Sequence, residues 1–218
     1  MKVQATATFL YGLGAVVVTT AQVAGDPDGI NHFKSNGPFA LHVKGHALNS
    51  SVDGYVSTLP TFETQWLLQY EPGKCPQPDN SSYRFYFNYT GEMKSQDAEA
   101  GFFVTDYTVE ETNKFGFKGK AVSLQYDLNT NVGLVVMGTG TAALAGFNAE
   151  NKTFLTHVMD DSTAVPGERP VYKDYRYYHW AVCWQAFSNV YAPILSWVTT
   201  GHPHNPTCEL VDLVKVTL

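Results

Sequence analysis

The sequence predicts an all-β protein, built as a single antiparallel domain of about twelve short strands. Aromatic residues make up 14% of the chain and charged residues only 16%, a composition that favours strands and turns over helices. Turn-forming residues separate short apolar runs about every 8–15 residues, the spacing of small all-β domains. No stretch longer than about ten residues keeps a helical period without Gly, Pro or a run of β-branched residues.

Alternating or continuous apolar runs predict the strands, and the segments between them are predicted to be loops. The longest predicted loops are the proline-rich residues 71–79, residues 90–100 and residues 160–175. Two hairpins are predicted, and the second has a turn rich in Asn. The predicted strands cover residues 39–43, 54–59, 65–70, 83–87, 102–104, 115–117, 122–126, 133–137, 146–147, 153–158, 178–184, 193–198 and 207–218.

A loose internal recurrence suggests how these strands are arranged. The order aromatic strand, polar turn, strand and Gly-rich turn occurs near residues 39, 115 and 147. Three such units predict the threefold plan of a β-trefoil, whereas a β-sandwich explains the same strands nearly as well. No Ser/Gly or Pro repeat divides the chain, so we expect residues 37–218 to form one domain.

The first 21 residues predict a secretory signal peptide. Lys2 supplies a positive start, residues 5–18 are mostly apolar and uncharged, and the small residues Thr20 and Ala21 precede Gln22. An apolar run of about 14 residues is too short for a membrane span, which needs about 20. We therefore expect a secreted or extracellular protein whose residues 22–36 form a flexible start.

The oxidising compartment that a signal peptide implies permits disulfides and glycans. Of the three cysteines, Cys183 and Cys208 are the favoured pair, because the segment between them is short and both flank apolar runs. The other two pairings stay open, and Cys75 lies in a predicted loop. Four Asn-x-Ser/Thr sequons predict N-glycosylation at the surface positions Asn49, Asn80, Asn88 and Asn151.

Charge and motifs exclude several functional classes. The formal net charge is -6 and no basic run occurs, which disfavours nucleic acid and anionic membranes as partners. No nucleophile elbow, phosphate-binding loop or dinucleotide fingerprint occurs in the sequence. No catalytic residue, cofactor or metal is therefore assigned.

Two histidine pairs and several carboxylates are the remaining candidates for chemistry. His202 and His204 could share a metal, but the prolines beside them predict a stiff loop and no third ligand is near. His42 and His46 lie four residues apart in a segment predicted to be strand and turn. A glycosidase would need two carboxylates flanking a sugar. Asp106, Glu110, Glu111, Asp160 and Asp161 are available, all in predicted loops.

The four tryptophans could form either core or a sugar-stacking face. Trp180 and Trp184 share a parity, so one strand would point both to the same side. We expect them in the core with Val182, and Cys183 on the opposite face. Trp66 and Trp197 are the other two tryptophans.

The C-terminal half resembles small secreted proteins of filamentous ascomycete fungi, including cell-wall proteins described as IgE-binding. The resemblance implies secretion, a cell-wall or extracellular location and no established enzyme activity, and it supplies no catalytic residues. It rests on Gly146-Phe147-Asn148, Thr153-Phe154-Leu155, Trp180-Ala181-Val182-Cys183-Trp184, Leu195-Ser196-Trp197, Gly201, Pro203, Asn205 and Cys208.

These observations favour a non-enzymatic, secreted fungal glycoprotein of the cell wall or extracellular space that binds glycan or another surface. Two alternatives stay open. One is an extracellular glycoside hydrolase with a carboxylate pair, which predicts two acids in an aromatic cleft. The other is a host-facing effector or allergen whose partner is a host protein, which predicts a sizeable exposed apolar patch.

Overall fold

The computed structural model describes residues 33–61, 65–74, 76, 78–96, 98–105, 119–138, 141–159, 162, 164–169 and 172–218. Several predictions from the sequence lie outside these residues. They are the signal peptide, most of the flexible start, the strand at 115–117, Cys75 and the candidate acids Asp106, Glu110, Glu111, Asp160 and Asp161.

The described residues form a 14-stranded sheet in which every strand pairing is antiparallel, and this confirms the all-β antiparallel prediction. One 3-10 turn at Ser81–Tyr83 precedes β4. The strands are β1 Lys34–Gly45, β2 Asp53–Pro60, β3 Gln65–Pro72, β4 Phe85–Tyr89, β5 Lys94–Ser95, β6 Ala98–Thr105, β7 Ala121–Gln125, β8 Val132–Gly138, β9 Ala145–Phe147, β10 Thr153–His157, β11 Tyr175–Tyr177, β12 Trp180–Phe187, β13 Val190–Val198 and β14 Glu209–Thr217.

The sheet closes on itself. Successive hydrogen-bonded neighbours lead from β6 through β4, β1, β14, β12, β13, β3, β8 and β7, and β7 pairs again with β6. The closing contact pairs Val104 with Ala121, and the N–H of Thr105 donates to the carbonyl of Lys120 at 3.1 Å. Closure leaves fewer open strand edges, which are the usual sites of unwanted pairing. Trefoil and sandwich both stay predictions, since the unit near residue 115 lies outside the described residues.

Strand alternation explains where the core lies. On β1, Phe39, Leu41 and Val43 all enter the main hydrophobic cluster, as the period of two requires. On β3, Leu68 enters that cluster while the neighbouring Leu67 packs into a second one. Strands buried on both faces explain why these apolar runs are continuous rather than strictly alternating.

The first strand begins earlier than the sequence predicts. β1 starts at Lys34, so residues 34–36 of the expected flexible start pair with β4. The register shifts between Asn36 and Phe39, which is a bulge, and the Gly37–Pro38 peptide within it is cis. Gly37 has a φ of 143° there, and an added Cβ would stand 2.8 Å from the carbonyl oxygen of Phe85. The bulge therefore requires glycine at this position.

Two short strands lie in segments predicted to be loops. β5 falls within residues 90–100, and β11 begins at the end of the predicted loop 160–175. Strands of two or three residues carry too little alternation to be recognised from sequence, and only their partners β6 and β10 define them.

No helix in the described part of the chain is long and apolar enough to cross a membrane.

The predicted disulfide is present. Cys183 on β12 bonds to Cys208, which lies in the loop before β14, across 25 positions of sequence. Cys183 is completely buried in a cluster with Ala181, Val132 and Val198 on the face of β12 opposite Trp180. The bond ties the end of the loop at residues 199–208 to strand β12.

Candidate functional site

A cleft of about 580 Å³ opens beside the closed sheet, within the size range of small-molecule sites. It lies where β7, β10, β11 and β13 approach one another, together with the segment that precedes β9. The cleft is lined by Leu124, Tyr126, Ala142, Ala143, Leu144, Leu155, Thr156, His157, Met159, Tyr177, His179, Trp197 and Thr199.

A continuous row of aromatic rings includes three that line this cleft, those of Tyr177, His179 and Trp197. Tyr175, Tyr177 and His179 follow each other at alternate positions, with ring centroids 6.0 and 5.6 Å apart. The row continues from His179 to Trp197 at 5.5 Å and on to the buried Trp180 at 4.9 Å. Trp180 is anchored because its indole Nε1 donates to the carbonyl of Thr153 at 2.7 Å. The aromatic wall of the cleft is therefore continuous with the core and held in place by it.

Polar groups also line the cleft. The backbone N–H of Met159 donates to Nδ1 of His157 at 3.1 Å, so a neutral His157 carries its proton on Nε2 and can donate from there. Thr156 shares a hydrogen bond with Ser95, with the two hydroxyl oxygens 2.8 Å apart. Burial raises the pKa of the Tyr126 phenol, which therefore stays protonated at neutral pH and can donate a hydrogen bond.

Asn131 fixes the rim of the cleft. Its backbone carbonyl accepts from the N–H of Thr199 at 2.9 Å and from the Thr199 hydroxyl at 3.1 Å. Its side-chain Nδ2 donates to the carbonyls of Thr200 and His202, both at 2.8 Å, and Oδ1 accepts from the N–H of His204 at 2.8 Å. The loop that carries Thr199 is thereby tied to the end of the β7–β8 hairpin.

The described lining contains two histidines but no permanently charged side chain. None of the described lining residues is Asp, Glu, Lys or Arg. Such a site can hold an uncharged ligand that has an apolar face and several hydroxyl groups, because aromatic rings cover the face and polar side chains satisfy the hydroxyls. The described lining offers no carboxylate pair for acid–base hydrolysis of a glycosidic bond.

The candidate histidine pairs lie elsewhere. His42 Nε2 is 2.6 Å from Asp53 Oδ1, whereas His46 Nε2 is 3.1 Å from Asp212 Oδ1, so each ring faces its own carboxylate. His202 and His204 contribute backbone groups to the loop that Asn131 holds. Among the residues that the structure describes, no group of three or more His, Cys, Asp or Glu could hold a metal ion.

The prediction that Trp180 and Trp184 lie together in the core is half right. Trp180 is 1% exposed and belongs to the main cluster with Val182, but Trp184 is 47% exposed. The pairing of β12 with β14 ends at Val182, so the hairpin of β12 and β13 extends beyond the packed part of the sheet. Parity correctly predicts the side of the strand but carries no information about where the core ends.

The four sequons occupy different environments. Asn49, Asn80 and Asn151 are exposed, and the Asn80 side chain accepts from the N–H of Ser82 at 3.0 Å. Asn88 is only 7% exposed within β4, where neighbouring strands pack on it. The surface placement that N-glycosylation requires is met at Asn49, Asn80 and Asn151, where it stays a prediction, and is not met at Asn88.

Sequence reasoning did not identify the cleft. Its residues come from segments that are far apart in the chain, and their side-chain types are common in cores. One signal was present: Tyr175, Tyr177 and His179 alternate, which places three rings on one side of an extended segment.

Comparison with protein-family models, curated proteins and solved structures found no match to this chain.

Proposed function

We propose that this protein is a secreted, non-enzymatic fungal glycoprotein of the cell wall or extracellular space that binds a neutral glycan in the cleft. The single observation that carries the proposal is the composition of the cleft, whose described lining combines aromatic rings with hydroxyl and imidazole groups and contains no Asp, Glu, Lys or Arg. Pyranose rings present an apolar C–H face and equatorial hydroxyls, so they match both kinds of group in such a lining.

The predicted signal peptide and sequons support an extracellular setting for this activity, and glycans of a cell wall are abundant there. The aromatic wall is anchored through Trp197 and Trp180 in the core, so little ordering of side chains is needed when a ligand binds. Preorganisation of this kind increases affinity because less conformational entropy is lost.

The test is a binding measurement with purified full-length chain and three insoluble polysaccharides: chitin, β-1,3-glucan and mannan. Tyr126→Ala removes an exposed ring from the cleft, and Tyr172→Ala removes one of nearly equal exposure outside it, at 48% and 47%. We expect retention on at least one polysaccharide, weakened about fivefold to tenfold by Tyr126→Ala and unchanged by Tyr172→Ala.

Two results would overturn the proposal. One is the absence of retention on all three polysaccharides, and the other is equal binding by Tyr126→Ala and the unmodified chain. The non-enzymatic part is checked separately, by measuring new reducing ends after prolonged incubation with soluble fragments of the bound polysaccharide. Production of reducing ends in proportion to protein concentration would show a hydrolase instead.

A further inference from the structure

Trp184 and Tyr191 form an exposed aromatic pair at the outer end of the β12–β13 hairpin. Their ring centroids are 5.3 Å apart, with 39° between the ring planes, and the side chains are 47% and 65% exposed. Trp184 pairs with Pro193 and Tyr191 pairs with Ala186, so the two aromatic rings lie on a diagonal of the same face. Neither residue lines the cleft.

The backbone beneath Trp184 is held by side chains rather than by a neighbouring strand. Its N–H donates to the Thr207 hydroxyl at 3.0 Å, and its carbonyl accepts from Asn205 Nδ2 at 3.0 Å. The disulfide from the adjacent Cys183 to Cys208 ties the same loop to β12. These bonds use the backbone N–H and carbonyl of Trp184 at the edge of β12, so another strand cannot pair there. A ligand at this place therefore contacts the faces of the aromatic rings.

The size of this surface favours a sugar over a protein. The exposed parts of the two rings amount to roughly 250 Å², whereas a stable protein interface buries about 800 Å² on each partner. The residues at the adjoining hairpin turn, Ser188 and Asn189, are exposed and polar, so the apolar area does not continue in that direction. One or two pyranose rings fit an aromatic surface of this extent.

We infer that Trp184 and Tyr191 form a second carbohydrate-binding surface, which stacks on pyranose rings of the polysaccharide that occupies the cleft. The inference rests on the proposed function for its ligand class, but it depends on different residues. Tyr191 and the cleft residue Trp197 lie six positions apart on β13, or about 20 Å along an extended strand. Two sites on one polysaccharide bind more tightly together than either does alone.

The experiment measures retention of the full-length chain on the same three polysaccharides, insoluble chitin, β-1,3-glucan and mannan. It compares Trp184→Ala, Tyr191→Ala, the cleft variant Tyr126→Ala and the control Tyr172→Ala, whose ring is exposed by 47%, as is that of Trp184. Thermal unfolding verifies that each variant is folded. If Trp184→Ala does not fold, Tyr191→Ala still tests the surface. We expect Trp184→Ala and Tyr191→Ala each to weaken retention about fivefold to tenfold relative to Tyr172→Ala.

The outcomes separate the two proposals. If Trp184→Ala, Tyr191→Ala and Tyr126→Ala all weaken binding, both sites are supported. If only the Trp184 and Tyr191 variants weaken it, the exposed pair is the carbohydrate site and the cleft proposal is overturned. If none of these variants weakens binding, both are overturned. If only Tyr126→Ala weakens binding, the second surface is overturned and the cleft is supported. If the unmodified chain binds none of the three polysaccharides, the second surface is overturned. If Trp184→Ala instead converts a dimer to a monomer in analytical ultracentrifugation, the pair is a self-association contact and the inference is overturned.

Discussion

The ring of Tyr126 lies over Gly133, so closely that a Cβ on residue 133 would stand 2.5 Å from Cε1 and 2.8 Å from Cδ1 of that ring. The two residues occupy facing positions just beyond the pair Gln125 and Leu134 of the β7–β8 hairpin. The absence of a side chain at Gly133 thus leaves the space that the Tyr126 ring fills at the edge of the cleft.

Gly133→Ala is expected to displace the Tyr126 ring, because real Cβ atoms do not approach other atoms this closely. We expect a loss of about 1 kcal/mol or less in the free energy of unfolding, because the half-exposed ring can turn aside, and weaker polysaccharide binding, similar to that of Tyr126→Ala. Urea denaturation and the retention assay measure the two effects. Gly91→Ala is the matched control, since an added Cβ there meets no atom within 4 Å. Unchanged binding by Gly133→Ala would contradict the role given to Tyr126.

Asn131→Ala is expected to release the loop that bears Thr199, because three hydrogen bonds of this largely buried side chain are lost. At roughly 1 kcal/mol for each bond, the free energy of unfolding should fall by about 2–4 kcal/mol. Chemical denaturation measures the change. Asn189→Ala, at an exposed turn position, should leave stability within about 0.5 kcal/mol of the unmodified chain. Equal stability of the two variants would show that the loop does not depend on Asn131.

The double variant Cys183→Ala, Cys208→Ala is expected to lose about 3.5 kcal/mol of stability, because the disulfide closes a loop across 25 positions. Unfolding by guanidinium measures the loss. A reducing agent should lower the stability of the unmodified chain by a similar amount and leave that of the double variant unchanged. A double variant as stable as the oxidised chain would mean that the packing of β12 and β14 alone fixes this region.

Stability should depend on the ionisation of Asp212. Burial raises the pKa of its carboxyl, but hydrogen bonds from Lys152 at 2.8 Å and His46 at 3.1 Å outweigh this and hold the pKa below its ordinary value of 3.8. The carboxylate therefore stabilises the fold above pH 3.8, and the stabilisation is lost as the pH falls through the folded-state pKa.

Asp212→Asn is accordingly expected to lower the free energy of unfolding at pH 6 by about 1 kcal/mol or less, as partly exposed ion pairs contribute little. The difference from the unmodified chain should disappear towards pH 2. Denaturation curves across this range measure it, with Asp127→Asn at an exposed turn as the control of equal charge change. A difference that persists undiminished at pH 2 would show that it arises from packing rather than from charge.

Expression through a eukaryotic secretory pathway is expected to add glycans at Asn49, Asn80 and Asn151 but not at Asn88. An N-linked glycan needs a solvent-exposed asparagine in the folded protein, and Asn88 is 7% exposed within β4. Mass spectrometry after enzymatic deglycosylation identifies the occupied positions. A folded product with a glycan at Asn88 would contradict this placement of β4, and a product with no glycan anywhere would count against the predicted secretion.

Much of the fold could be predicted from local sequence. The period of two in residues 39–43 places Phe39, Leu41 and Val43 in the core, and every predicted strand within the described residues overlaps an observed one. The short β5 and β11 could not be predicted, since they exist only through pairing with β6 and β10. The start of β1 was also missed, because residues 34–36 are polar and their pairing with β4 alone makes them a strand.

The sequence by itself determined that this chain forms antiparallel strands, because alternation and turn residues act over a few neighbouring positions. It also favoured the disulfide between Cys183 and Cys208. Tertiary structure alone decided that Trp180 is buried while Trp184, of the same parity, is exposed, since burial depends on where the strands packed around β12 end. It alone brought Tyr126, Tyr177 and Trp197 to one cleft, because closure of the sheet joins strands whose distance along the chain carries no local signal.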